Sequence, residues 1–381
     1  VHTIWILSLE PIETRYTAQW FAGVPKQIAA YAEARGISMR VHMDPAKFGQ
    51  DDIDSGVLNI VNVPGTGGTQ QPSAGAFLNF ASTNLWKNDQ INRFIGFLKA
   101  GMVCDGDKVW VADAWHPGIL QLAYMRDLLD VSFEISAIWH AGSYDPWDFL
   151  GRGIPDKRWS YATERALFWA IDRNYFTTRF HIGLFMRGLG LDPDAVEDRS
   201  VRSGYPNDYL WAELPGYRSP AEQRRNLILF PHRLAPEKQL AIFKDLEQAL
   251  PQYEWVVCQE QSLTKHEYHT LLGQAKMSFS AALQETLGIA QAEATIAGAI
   301  PLSPRRLAYN EQYTAPFLYP SEWTASWEAY QSNKEYLVSY IRMMMDDYAT
   351  PKMQAAISAQ EHVLKADYLT AEPLYRNLVG A

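Results

Sequence analysis

The chain has 381 residues, 47% of them apolar and 20% charged, with 34 Lys+Arg against 43 Asp+Glu and a formal net charge of −9. These proportions exclude disorder, collagen and a disulfide scaffold, and at about 150 residues per domain the length fits two domains. The acidic balance excludes a protein that coats phosphates by bulk charge, because nonspecific nucleic-acid binding grows with the phosphates that Lys and Arg neutralise; a local basic groove stays open. The outlying figure is the aromatic share, 13%, with 13 Trp and 20 Tyr. Cys104 and Cys258 lie far apart and outside any metal-ligand spacing, which suggests a reducing compartment. No apolar run reaches the roughly 18 residues of a membrane span, and the opening segment reads as a strand, so no signal peptide is expected. A soluble cytoplasmic protein is expected, with no membrane partner.

In chain order, short apolar runs alternate with amphipathic stretches, the pattern of a parallel sheet wrapped by helices. Strands are predicted over 3–9, 38–43, 56–63, 108–113, 132–139 and 175–180, with helices over 19–35, 88–99, 117–129 and 160–172. The stretch from Pro193 to Pro220 holds Gly204, Pro206, Pro215 and Gly216 with little periodicity and reads as a linker, which places a boundary near Tyr217. The alternation then restarts, with strands over 226–230, 254–258, 277–280 and 300–302 and helices over 236–249, 265–275 and 289–297. Two long helices, 327–348 and 351–364, close the chain. The expected architecture is α/β: an N-terminal, acceptor-side Rossmann-like domain over 1–217 and a nucleotide-binding domain over 218–381, both doubly wound and facing across a cleft. Residues 1–217 carry 19 basic and 25 acidic side chains and residues 218–381 carry 15 and 18, so neither domain is a basic module.

The sharpest local signal is QETLGIAQAEATIAGAIPL, from Gln284 to Leu302. Glu285 falls in the turn after a strand, Gly288 permits a tight backbone, and Glu293 lies roughly 6 Å along the helix that follows. The N–H groups of Thr286, Leu287 and Gly288, with the helix dipole, would form a diphosphate site. Carboxylates beside an anion site make sense as acceptors for sugar and ribose hydroxyls. An isolated E-x7-E spacing is more often a helix-start acid followed by a solvent-facing Glu. Here it is preceded by LFPHRLAPEKQL, a strand end and helix start in which Arg233 offers a planar fork and Lys238 a compact charge for a departing pyrophosphate.

The Arg233–Lys238 element followed by Glu285, Gly288, Glu293, Ala294 and Gly298 resembles the nucleotide-sugar half of retaining glycosyltransferases of the GT-B fold, across roughly residues 226–320. The resemblance implies that Arg233 and Lys238 bind the donor diphosphate, Glu285 the donor sugar and Glu293 the ribose. It implies no cofactor and no metal; the nucleotide-sugar, of UDP-glucose or GDP-mannose type, is a substrate. Two features depart from the family: Glu10–Thr17 replaces its Gly-rich first loop, and Thr286-Leu287 replaces its Pro-Phe. The strings FPHR (230–233) and PLSPRRLAYNE (301–311) are similar to proteins that mannosylate queuosine in transfer RNA and, more loosely, to phage enzymes that glycosylate hydroxymethylated DNA bases. LEPIETRYTAQW, residues 9–20, points toward the phage type. The resemblance thus implies a modified nucleobase in nucleic acid as acceptor, a hydroxymethylated pyrimidine first, in the host cytoplasm if phage-encoded. A saccharide, lipid or small-metabolite acceptor and a non-catalytic binding module are the rivals.

In the N-terminal domain His116 and His140 end predicted strands. Family analogy favours His140 as the catalytic-site histidine, its ring or the neighbouring carbonyl contacting the donor sugar. On the acceptor side, Glu13, Arg15 and Tyr16 follow the first strand, and Tyr144 and Trp147 are candidates to stack an extruded base, although core packing is the commoner use of such rings. His266 and His269 lie three apart without a third ligand, which argues against metal. The loop from Pro64 to Pro72 lacks the Gly-Lys-Ser/Thr ending of a phosphate loop and reads as an acceptor-side loop.

Overall fold

The computed structural model describes residues 2–12, 15–67 and 78–381. They form two compact α/β units, one of residues 1–177, 181–206 and 371–381, the other of 178–180 and 207–370. The division of the chain therefore falls at Pro206/Asn207, ahead of Tyr217, and the last residues return to the first unit.

The first unit is built on seven strands: β1 (Thr3–Leu7), β2 (Met39–His42), β3 (Leu58–Asn62), β4 (Lys108–Val111), β5 (Glu134–Ile138), β6 (Arg173–Phe176) and β7 (Ser200–Arg202). Their order is β2-β3-β1-β4-β5-β6-β7 and every pairing is parallel. Central strands covered by helices on both faces must be apolar along their whole length, and β1 and β3 are buried at every position. Trp5 stands in register with Val61 and Val109 and packs against Phe48 and Phe94. Its indole N–H donates to Asp107 Oδ2 at 2.9 Å, which satisfies the polar end of a fully buried ring.

Some helices begin where the sequence does not suggest it. Helix Phe80–Lys99 starts two turns before residue 88, because the Asn79 side chain caps it by accepting from Ser82 N. Helix Arg179–Leu189 replaces the end of the strand expected over 175–180. Its first N–H groups, of Arg179 and Phe180, donate to Glu311 at 3.0 and 2.8 Å, a cap remote in sequence. Strand β7 and the last helix, Glu372–Val379, are also additions. That helix buries Leu374, Tyr375, Leu378 and Val379, and its Glu372 accepts from Tyr31 at 2.8 Å on helix Tyr16–Glu33.

The second unit holds β8 (Arg225–Phe230), β9 (Glu254–Val257), β10 (Ala275–Phe279), β11 (Ile300–Pro304) and β12 (Leu318–Tyr319) in the parallel order β12-β11-β10-β8-β9. Leu227–Phe230 are all wholly buried, each contributing about 1.5–3 kcal/mol by leaving water. Helix Lys265–Gln274 starts on a capping box that the sequence shows, Thr264 and Glu267 satisfying each other's backbone N–H. The chain winds outward from β8 in both directions, so the order reverses between β8 and β10. In open α/β sheets ligands bind beyond the carboxyl ends of the strands at such a switch point.

Candidate functional site

The carboxyl end of β8 runs into Pro231, His232 and Arg233, and that of β10 into the loop 280–288, which carries Glu285 and opens helix Ile289–Ile296. The switch point of the second unit therefore collects the residues that the sequence singles out. Lys238 is 4% exposed, and its ammonium donates to Glu285 Oε1 at 2.7 Å and to the Gln284 carbonyl at 2.6 Å. Two of its three donors thus fix the loop from which Glu285 projects. Burial pushes the Glu285 carboxyl up, but Lys238, His232 and Arg233 outweigh it and hold the group below the usual range, so it is ionised at neutral pH. Its Oε2 has no protein partner among the described residues.

Arg233 is oriented by Glu237, whose wholly buried Oε1 accepts from Nε at 3.1 Å and from Nη2 at 2.6 Å. The Glu237 carbonyl also accepts from Leu283 N at 2.8 Å, which ties the β8 and β10 loops together. The helix expected over 236–249 is interrupted here. Pro236–Lys238 is a 3₁₀ turn, and Gln239, at φ +54°, turns the chain into helix Leu240–Ala249. Gln239 and Arg306 both donate to the Ala281 carbonyl, and Arg306 reaches those of Ala282, Ser321 and Thr324 as well, so the loop is clamped from below.

Gly288 sits at φ +74° just before the helix, and a Cβ there would lie 2.7 Å from the Tyr309 ring, so the turn requires glycine on both counts. The side chains of Thr286 and Leu287 are buried, and what this stretch offers a ligand is backbone N–H. The Thr286 carbonyl is fixed by the Thr178 hydroxyl at 2.9 Å. The first N–H groups of a helix have no intrahelical acceptor, and their partial positive charge suits an anion. Glu293, one turn in, accepts from Tyr268 at Oε2, 2.9 Å, and burial raises its carboxyl to about 6 against the opposing pull of Tyr268 and Lys265. Arg233, Lys238, Glu285 and the turn Thr286–Gly288 therefore lie together at the switch point, and Glu293 sits one turn into the helix that starts there.

Sequence reasoning passed over His232, a buried ring whose Nδ1 lies 4.0 Å from Glu285 Oε1. Burial and the Lys238 charge bring it down to about 4, so at neutral pH it is an uncharged neighbour of the carboxylate. Glu237, Tyr268 and Arg306 were also missed as positioning groups. Only Glu237 had a local signal, its place four residues after Arg233.

In the first unit, His140 follows β5. Its Nε2–H donates to the Ala112 carbonyl at 2.7 Å, which leaves Nδ1 as acceptor for the hydroxyls of Tyr16 at 2.9 Å and Tyr205 at 2.8 Å. Burial pushes its pKa down despite Asp113 and the carbonyl, so the ring is neutral and both nitrogens are engaged. Arg15 precedes helix Tyr16–Glu33, its guanidinium 5.6 Å from the Tyr16 ring centroid. Glu13 lies outside the described residues, as do residues 68–77 of the loop that begins at Pro64.

Two expectations change. His116 is not presented to a ligand: it is 2% exposed, its Nδ1 accepts from Gly118 N at 3.1 Å at the start of helix Gly118–Leu129, and burial takes its pKa down to about 3. Tyr144 is not a stacking surface either, being 2% exposed, packed on Trp139 and Phe185, and bonded to His181 at 2.6 Å. Trp147 is exposed. The turn just before Tyr144 is pinned by Glu164, a buried carboxylate that accepts from the Ser143 backbone and hydroxyl and from Trp115.

No protein-family model matches the chain, and no curated protein matches its sequence. Solved structures do match in shape. The fold is that of GT-B glycosyltransferases, with two parallel, Rossmann-like sheets. WaaG, a glycosyltransferase of lipopolysaccharide biosynthesis, is similar with a TM-score of 0.54 at 16% identity, over 100% of both chains. The catalytic domain of starch synthase IV from Arabidopsis thaliana, bound to ADP and acarbose, gives 0.53 at 12%, and sucrose-phosphate synthase from Thermosynechococcus elongatus 0.52 at 11%, each again over 100% of both chains. At these identities the likeness is one of fold.

Proposed function

We propose that the protein is a nucleotide-sugar-dependent glycosyltransferase that transfers with retention of anomeric configuration and without a metal ion. The observation that supports this reading is the Lys238–Glu285 pair at the β8/β10 switch point, with Arg233 oriented beside it, a helix N-terminus that starts there and Glu293 one turn into that helix. A neutral-ligand pocket would have no use for two oriented cations beside a helix N-terminus, and a simple anion site no use for the carboxylates. A nucleotide-sugar needs both.

In this reading Arg233, Lys238 and the N–H groups of Thr286–Gly288 hold the diphosphate, Glu285 the sugar and Glu293 the ribose. The acceptor hydroxyl forms its bond to the anomeric carbon on the face from which the phosphate departs. The bond to the phosphate oxygen breaks, and that oxygen takes the acceptor proton. Fixed cations and helix N–H groups stabilise the charge that grows on the diphosphate, the task a metal ion performs elsewhere. His140, neutral and with both nitrogens engaged, suits a shape-setting part better than a proton shuttle.

For the acceptor, the reading to test is a modified nucleobase, a hydroxymethylated pyrimidine in DNA first, on the sequence resemblance of residues 230–233 and 301–311. Burial of Tyr144 leaves Trp147 as the stacking ring of that pair. The rival is a saccharide, which the acarbose bound by the similar starch synthase favours. Incubation with UDP-glucose or GDP-mannose and hydroxymethylated DNA, transfer RNA or oligosaccharide, read by mass spectrometry, distinguishes them. Gain of a hexose on DNA nucleosides supports the first, and gain on the oligosaccharide alone overturns it.

A further inference from the structure

Glu293 is approached from several elements. Tyr268 and Lys265 come from helix Lys265–Gln274, Glu213 from the short helix Leu210–Glu213, and Cys258 from the end of β9. Only Tyr268 bonds to it, through Oε2 at 2.9 Å; Oε1 has no protein partner among the described residues. The arrangement parallels that of Glu285, whose Oε1 is taken by Lys238 while Oε2 is left. A carboxylate tied by one oxygen cannot rotate freely, and its second oxygen stays where the fold puts it.

We propose that Tyr268 is the positioning residue of the nucleotide site, holding Glu293 by Oε2 so that Oε1 remains an ionised acceptor for a nucleotide hydroxyl. The inference rests on the reading of Glu293 as a nucleotide-binding group. It carries a pH consequence. The hydroxyl's donated bond and the Lys265 charge favour the ionised form, while burial and Glu213 oppose it and leave the carboxyl titrating near 6. Ionisation makes both oxygens strong acceptors at once, so the Glu293 share of nucleotide affinity should fall by up to about tenfold between pH 7 and pH 5, on top of the change from the diphosphate's own ionisation at about 6. Tyr268→Phe removes the bond and keeps the ring, so the midpoint of that fall should move to higher pH, while kcat at saturating donor changes little.

The test pairs two measurements on the full chain, with Tyr268→Phe and Glu293→Gln beside the parent. Carbon-13 NMR follows the Glu293 carboxyl, and calorimetry follows UDP, ADP and GDP affinity, both from about pH 5 to about pH 8. We expect Tyr268→Phe to raise the carboxyl midpoint and the affinity midpoint together. Glu293→Gln, whose amide oxygen still accepts from Tyr268, should remove the carboxyl's share of the pH dependence in that window and leave that of the diphosphate, which itself ionises at about 6. A carboxyl midpoint unmoved in Tyr268→Phe, or a pH dependence in Glu293→Gln as steep as the parent's, overturns the positioning role. If the parent binds none of the three nucleotides at any pH, the nucleotide reading itself falls and takes this inference with it.

Discussion

At the scale of single residues, the proposed chemistry of the second unit depends on what holds the two glutamates. Lys238 takes one oxygen of Glu285 and Glu237 takes two donors of Arg233, so both charges are fixed before any ligand arrives. Arg233→Ala and Glu285→Ala should each lower kcat/KM by about 10²–10³-fold, as loss of an oxyanion-type contact does, with the circular dichroism of the parent retained. Near-normal turnover in either variant would remove that residue from the mechanism. Gly288→Ala places a Cβ 2.7 Å from the Tyr309 ring at a positive φ, and should cost about 1–3 kcal/mol in urea unfolding as well as donor affinity. The places of Arg233, Lys238, Glu285 and Glu293 on strand-turn-helix units were legible because that spacing is local in sequence. Tyr268 and His232 were not, because their meaning comes from what packs beside them. His116 and Tyr144 misled for the same reason: a strand-end position does not say whether a ring turns outward or into the core.

At the scale of elements, the apolar strands and amphipathic helices were visible in the pattern, and helix Lys265–Gln274 starts where that pattern places it. What escaped were elements whose signals lie far away. Helix Arg179–Leu189 has its acceptor in Glu311, 132 residues on, so no local motif announces it. Glu311→Ala should destabilise the protein by about 1–2 kcal/mol, seen as a lower melting temperature, and Glu311→Gln, which keeps an acceptor oxygen, should recover part of the loss. No change in either would mean that the cap is idle. The loop after β4 carries a pH-dependent bond of its own. Burial raises Asp113, but Lys87 at 2.7 Å, with His140 and the Trp115 N–H, overrides it and brings the carboxyl down to about 2. A carboxyl depressed by folding stabilises above its ordinary pKa and loses that contribution as pH falls toward about 2. Acid unfolding of Asp113→Asn, lacking this group, should depend less on pH between about 4 and about 2 than that of the parent. Equal slopes would assign the acid sensitivity elsewhere.

At the scale of the whole molecule, the chain folds as two units whose sequences interleave. The last helix was missed because it is short and its apolar side chains, Leu374, Tyr375, Leu378 and Val379, make sense only against the first unit to which they return. Removing residues 371–381 should lower the calorimetric melt, since each of those side chains contributes about 1.5–3 kcal/mol; an unchanged melt would contradict the packing. Among the described residues no helix is long and apolar enough to cross a membrane, and no group of three or more His, Cys, Asp or Glu is placed to hold a metal ion. The net charge of −9 keeps its meaning: affinity for unmodified DNA or RNA should be weak and lost in moderate salt, even if one modified base is the acceptor. The most direct test of the central claim is the anomeric configuration of a transferred sugar, read by proton NMR on the product formed from an α-linked nucleotide-sugar. Retention gives an α-linked product that Glu285→Ala does not make; a β-linked product, or no product from a donor that binds, would contradict it.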